Sequence, residues 1–398
     1  MVKAASLLYA IFISLVIAIL CTGLLLMFTF KIDLDTYFLG KNQLIQHNRA
    51  AMSQVLYGDI SDEIKPYHGV VTIKNVKPWG SFEVCSLVSH FKKDTIKQYV
   101  LMAYGQSQNK PALYLRNNDT PLKISGDTFI SGDVFISGYG IEKTTITGSG
   151  VKNSPKHIGK IKPSEKQLPK LRLPSFSYPE KYIVQSLDAI EERFFVNEFD
   201  SETIVFDVAN TIHDIHLKGN IILQSKDTLV IAKTAVLEDI IVIAPKVMYE
   251  SGFKGNTQTY ATADVILEKN VQLLYPSIIN ISEVTDAFSF VHIQEKSIVE
   301  GAIILEGNGL VTEDKKRIQI DKNAIIKGDV FCDGILSLYG IVEGSVITSS
   351  LLHKTNTATY TNLMYGGKIY AKKLSDHFFE LPLVNYYDEE QLLAIKQL

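Results

Sequence analysis

Four stretches decide the fold: Leu229-Val-Ile-Ala-Lys-Thr-Ala-Val-Leu-Glu-Asp239, Val265-Ile-Leu-Glu-Lys-Asn-Val-Gln-Leu-Leu-Tyr275, Val291-His-Ile-Gln-Glu-Lys-Ser-Ile-Val-Glu-Gly301 and Ile318-Gln-Ile-Asp-Lys-Asn-Ala-Ile-Ile-Lys-Gly328. They overlay without gaps. The first and third positions are aliphatic, and a polar turn follows. A small residue (Ala235, Val271, Ser297, Ala324) comes next, and an aliphatic ninth position closes the unit. Alternation of period two on either side of a fixed turn predicts two short strands joined at a corner. The starts lie 36, 26 and 27 residues apart, close to the length of one coil of a parallel β-solenoid carrying variable loops. A single coil cannot bury its inward side chains, so stacking must supply the core.

A shorter echo precedes these repeats. Ile124-Ser-Gly-Asp-Thr-Phe-Ile130 is answered by Ser131-Gly-Asp-Val-Phe-Ile136, a six-residue step, and the tetrapeptide Gly-Asp-Val-Phe occurs at 132–135 and again at 328–331. An ordinary hairpin is the alternative reading of the pair. Closely spaced glycines between paired aliphatics, over 120–147 and 215–350, resemble the bactofilins, polymer-forming β-helix proteins of bacteria. That resemblance implies the β-helix fold and self-association as an expectation.

Working outward to the N-terminus, Ala4 to Phe30 contains no charged residue and is flanked by Lys3 and Lys31. At ~1.5 Å per residue it exceeds the ~30 Å hydrocarbon core of a bilayer. It is too long for the apolar region of a secretory signal, and Leu20 before Cys21 is unsuited to lipoprotein processing. Residues 1–30 are therefore expected to anchor the chain in membrane lipid. Residues 31–58 are expected to continue as an amphipathic helix, with Leu34, Phe38, Ile45, Met52 and Leu56 on one face. Gly40 is its weak point, and Gly58-Asp59 its stop. Lys3 on one side against Lys31, Lys41 and Arg49 on the other would by simple count keep the large domain in the cytoplasm. Long domains translocate regardless of such charges, and the expected placement is outside it.

A membrane-long apolar start running into an amphipathic half and a β-rich head resembles type IV pilins and minor pseudopilins. The likeness covers about the first 57 residues. The family's glycine cleavage site and early glutamate are missing, since Lys3-Ala-Ala-Ser-Leu-Leu8 has neither and the nearest acidic residue is Asp33. The resemblance implies membership of a pilin-like or secretion apparatus.

The remaining divisions follow from local pattern. Residues 59–119 predict a small antiparallel β unit, with strands at Gly69–Lys74, Ser81–Phe91, Lys97–Gln106 and Ala112–Arg116. Residues 120–150 would form the first coils and 151–185, with five prolines over 151–181, a basic linker. Residues 186–350 would carry the main coils, opened by a short helix over Ser186–Phe195. Residues 351–398 would cap them, ending in an amphipathic helix from Asp388 to Leu398. The fold class is thus mainly β: a transmembrane helix continuing into an amphipathic one, a small β unit and a parallel β-solenoid.

The 398 residues are 46% hydrophobic and 21% charged, with a net charge of −3. This excludes global disorder and gives no basis for nucleic acid as a partner. Cys85 and Cys332 read as apolar fillers rather than a disulfide framework. The candidate acids Asp127, Asp133, Asp329, Asp333 and Glu343 sit in Gly-Asp turns or lone polar slots, where backbone hydrogen bonding explains them. His213 and His216 fall on opposite faces of a strand-like run, which argues against a metal. Tyr139, Tyr339 and Tyr365 could line a glycan or protein contact, or simply stack between coils. No catalytic, cofactor or metal residues are assigned. The expectation is a non-enzymatic, single-pass bacterial envelope protein. Its protein partners, or self-association, would act through Leu34, Phe38, Ile45 and Met52 or through the coil ends. The alternatives are an anchored carbohydrate-active β-helix enzyme, which would need converging carboxylates, and an inert spacer.

Overall fold

The computed structural model describes residues 2–56, 69–105, 110–146, 155–173, 176–190, 192–282, 288–307, 315–375, 378–383 and 392–398. The chain forms two compact units, Met1–Val76 with Cys85–Gln98, and Lys77–Val84 with Tyr99–Leu398.

The first unit holds the helix Val2–Leu56, 55 residues without a break. Its most apolar window has a mean hydropathy of 2.8 with none of it buried, so it is long and apolar enough to cross a membrane. The amphipathic half differs from expectation. The buried face is Gly40, Leu44, Asn48, Ala51, Met52 and Val55, a ridge of three- and four-residue steps. Of the predicted face only Met52 is on it: Leu34, Phe38 and Leu56 are exposed and Ile45 is half-buried. The reason is Gly40. A Cβ there would lie 2.2 Å from the Phe91 ring, so this glycine admits the aromatic side chain, and its neighbours in the ridge are buried with it. Below it, Asn48 Nδ2 donates to Ser89 Oγ at 2.7 Å, and Thr72 Oγ1 lies 2.7 Å from Ser89 Oγ and 3.0 Å from His47 Nδ1.

Strands Val71–Trp79, Phe82–Phe91 and Asp94–Tyr104 follow one another across two-residue turns, which only antiparallel neighbours allow. Against the last of them lies Leu392–Gln397, antiparallel, with Val100 opposite Gln397. The expected terminal helix is therefore a strand from 392 onward. Residues 388–391 of that expectation, like the helix stop at 57–59, lie outside the described residues.

The second unit is built of stacked turns of chain whose strands pair in parallel, turn upon turn. One inward column runs Phe206, Leu223, Val242, Thr259, Ile279, Ile303, Val330, Val346, Leu113, Val134, each the register partner of the next. A second runs Leu229, Val247, Val265, Val291, Ile318, Leu336, Leu351. A third runs Leu273, Val299, Ile326, Val342, Ile369, Ile130. Except for Thr259 these are aliphatic or aromatic, and all are buried. At ~25 cal/mol per Å² of apolar surface removed from water, they supply the main stabilisation.

The four-fold repeat lies where its pattern requires. First, third and ninth positions point inward, and Asn270, Lys296 and Asn323, at its sixth position, have φ near +60°. The 36-residue step is two turns, since Leu229 pairs with Val247 and Val247 with Val265. The intervening turn escaped alignment because Gly252 and Phe253 replace the usual corner.

The order of stacking is not the order of sequence. Strand Leu113–Leu115 lies on Val346–Lys354, and Phe129–Ser131 on Lys368–Tyr370. The strands at 113–115, 129–131, 134–136, 156–158 and 161–163 thus continue the stack beyond residue 370. The strand at 113–115 belongs to this stack and not to the small antiparallel unit. The expected 151–185 linker contains strands Lys156–Ile158, Ile161–Pro163 and most of Tyr182–Ser186. Only its middle is a connection, a strap whose Leu168, Leu171, Leu173 and Phe176 cover an outward apolar face that includes Tyr114, Ile222, Ile241, Tyr260, Ile304 and Phe331. The expected helix over 186–195 is a single 3₁₀ turn, Leu187–Ala189, between two strands. Both strands pair in the stack, and that pairing overrides local helix preference.

Candidate functional site

The predicted acids are placed mainly by backbone needs. Asp133 follows corner Gly132 and accepts the Lys160 N–H of the adjacent turn at 3.0 Å, with Lys162 Nζ at 2.9 Å. The Lys160 N–H and then the Lys162 ammonium hold its carboxyl below the usual range. Asp329 makes the equivalent contact to the Ser345 N–H at 3.0 Å. It is buried, pairs with Lys110 and accepts the Leu381 N–H at 2.8 Å, while Glu380 lies 3.3 Å from the same ammonium. Glu343 pairs with Lys373, and Asp127 is exposed on its turn.

Asp333 differs. It accepts from Ser349 Oγ at 2.6 Å and faces a cleft of about 570 Å³ with Glu306, Arg116, Lys166 and Lys170. Burial, and then the Asp333 charge, push the Glu306 carboxyl up. Glu306 carried no sequence signal, because its proximity to Asp333 comes only from stacking.

His213 and His216 have separate partners, Asp214 at 3.1 Å and Glu238 at 3.0 Å. Among the described residues no three His, Cys, Asp or Glu side chains are grouped to hold a metal. Cys85 and Cys332 are both buried and outside any disulfide, and burial pushes the Cys332 thiol up to about 12, which leaves it unreactive. Tyr339 and Tyr365 are brought together around His353, and Tyr139 lies apart from them in the turns before residue 164.

The ends of the stack are the other chemically distinctive feature. At one end lie Tyr182–Ser186 and Phe194–Asn197, paired on one side only among the described residues. At the other lie Ile141–Lys143, Lys156–Ile158 and Ile161–Pro163, likewise paired on one side. Both edges carry exposed apolar side chains. Ile183, Val184 (51% exposed), Phe194 and Val196 lie at the first, and Ile158 (60%) and Ile161 at the second. Unpaired parallel edges with apolar side chains are templates for further strand pairing.

No family model matches the sequence, and no curated protein matches it. Among solved structures, the competence-associated pilin ComZ from Thermus thermophilus is matched at 8% identity over 91% of this chain and 96% of that one, with a TM-score of 0.22. A superposition of that quality carries no argument about fold or function.

Proposed function

We propose that this is a non-enzymatic, single-pass protein of a bacterial envelope, anchored in the inner membrane by Ala4 to Phe30, with its β-solenoid outside the cytoplasm as an assembly domain. The observation that carries the reading is the pair of open coil ends. Among the described residues, each presents strand edges paired on one side only and exposed aliphatic side chains, in a protein that covers its outward apolar face elsewhere with the strap. The occupant is a second copy of this chain. Head-to-tail stacking sets the edge at 141–143, 156–158 and 161–163 of one copy against that at 182–186 and 194–197 of the next, keeping the parallel pairing by which turn follows turn in the stack. Such a contact is heterologous and does not close, so it builds a filament. Three of the five candidate acids serve in ion pairs of the fold, in keeping with a non-enzymatic role. A pilin-like or secretion apparatus is the setting that the unbroken helix suggests.

The test uses full-length protein in native envelopes on a Cys21→Ala background, because Cys21 is exposed in the helix. Under mild oxidation, the Ile158→Cys, Val184→Cys double variant should give a ladder of covalent multimers, and either single variant none. Absence of the ladder in the double variant, or dimers from a single variant, overturns head-to-tail assembly.

A further inference from the structure

On a second face of the stack lies an open groove of about 670 Å³, within the range of small-ligand sites. Its floor is a chain of planar polar groups. Arg317 Nη2 donates to Gln319 Oε1 at 3.1 Å and Ser337 Oγ at 3.2 Å. Gln319 Nε2 donates to Asp321 Oδ1 at 2.8 Å, and His292 Nε2 lies 2.9 Å from Asp321 Oδ2. Its wall is a hairpin. Residues 352–354 pair antiparallel with 359–361, setting His353 opposite Tyr360. His353 stacks on Tyr365, with ring centroids 4.5 Å apart and planes 20° apart, and faces Tyr360 at 6.1 Å. Tyr339 meets it edge-to-face, with its hydroxyl 3.2 Å from Nδ1. Burial, and then Lys322, push the His353 imidazolium pKa down, so the ring is neutral at neutral pH.

Two things distinguish this groove from an ordinary polar surface. The first is the four-ring cluster, in which the buried His353 braces the half-buried Tyr339 at the groove wall. The second is Arg317, whose Nε is enclosed with no hydrogen-bond partner, a buried donor left unmatched by the fold. Arg317, Lys322 and Lys354 outnumber Glu295 and Asp321 among the lining charges, and Asp321 is already engaged. Rigid aromatic faces suit the C–H face of a pyranose, and planar amide, guanidinium and carboxylate groups suit vicinal hydroxyls. The excess of cations suits a carboxylate-bearing sugar.

We propose that this groove binds a short acidic oligosaccharide, with Tyr339, braced by the buried His353, as its stacking face and Arg317, Gln319 and Lys354 as its polar contacts.

The experiment is calorimetric titration of detergent-solubilised full-length protein with tetragalacturonate, cellotetraose and tetraglutamate. Tetragalacturonate is expected to bind saturably and more tightly than cellotetraose, and tetraglutamate not to bind. Tyr339→Ala should weaken binding by about tenfold or more, whereas Tyr339→Phe, which keeps the ring, should retain it. Lys354→Glu, at an exposed position, should weaken tetragalacturonate by a larger factor than cellotetraose. Unchanged Trp79 emission in each variant checks the fold. Lack of saturable binding by tetragalacturonate, or equal affinity for tetraglutamate, overturns the sugar site. Insensitivity to Tyr339→Ala overturns the location. Equal affinity for cellotetraose overturns the preference for acid.

Discussion

At the scale of single residues, close stacking leaves no room for a side chain at one corner. Gly328 has φ +134°, and a Cβ built on it would lie 1.8 Å from the Gly301 carbonyl oxygen, while one on Gly301 would lie 1.7 Å from that of Ser277. Neither the dihedral nor the clash can be relieved without parting two turns. Gly328→Ala should therefore destabilise the protein by about 3 kcal/mol or more. Gly138, with an ordinary φ and nothing within 4 Å of its Cβ, should tolerate alanine within about 0.5 kcal/mol. Denaturant unfolding of the two variants checks the contrast. Glu306 offers a second residue-scale test. Its carboxyl titrates above the ordinary value of about 4.3 because it is buried and then because Asp333 is near. Between the ordinary and the raised value the folded chain holds a proton that the unfolded chain lacks. Stability therefore falls as pH rises through that window. Glu306→Gln should be more stable than wild type at about pH 7, and this advantage should shrink toward about pH 4. Melting temperatures of both proteins across that range measure it.

At the scale of elements, what could be read in the sequence was whatever a residue's own neighbours decide. The inward columns were legible in four repeats because Leu229, Val265, Val291 and Ile318 each sit two positions before another aliphatic and six before a small corner residue. The turn built on Val247 was hidden because its corner is Gly252-Phe253, a different solution to the same bend. The long helix was legible from composition, but its packed face was not. Leu34 and Phe38 fit the period and are exposed, while Gly40 and Asn48 do not look apolar and are buried against Phe91 and Ser89. Where the partner is remote in sequence, local reading fails in the same way. Leu392–Gln397 looks amphipathic in helical projection but finds strand Asp94–Tyr104. Ser186–Phe195 looks helical, but its flanking strands find Thr203–Asp207 and His216–Gly219. The Tyr339, His353 and Tyr365 cluster shares this origin, because no motif announces residues that meet only through stacking.

At the scale of the whole molecule, the chain joins its turns out of sequence order. Residues 113–115 lie upon 346–348 and residues 129–131 upon 368–370, and the strap then leads back to begin the stack at Tyr182. Sequence could not show this, since every turn offers the same kind of parallel edge and nothing local marks which edge meets which. The joint is Leu113, fully buried between Val346 on one side and Val134 on the other. In a stack, each turn touches only its neighbours, so a weakened joint is felt locally and fades along the axis. Leu113→Ala removes buried aliphatic volume at a cost of about 2–5 kcal/mol. Hydrogen exchange of full-length protein should then show lost protection at 122–136, 156–163 and 341–352. Amides at 203–249, many turns away, should keep theirs, as should those of helix residues 40–55, which belong to the other compact unit. Uniform loss of protection along the stack would instead mean that the turns unfold as one cooperative body, and that the joint at Leu113 carries no separate role.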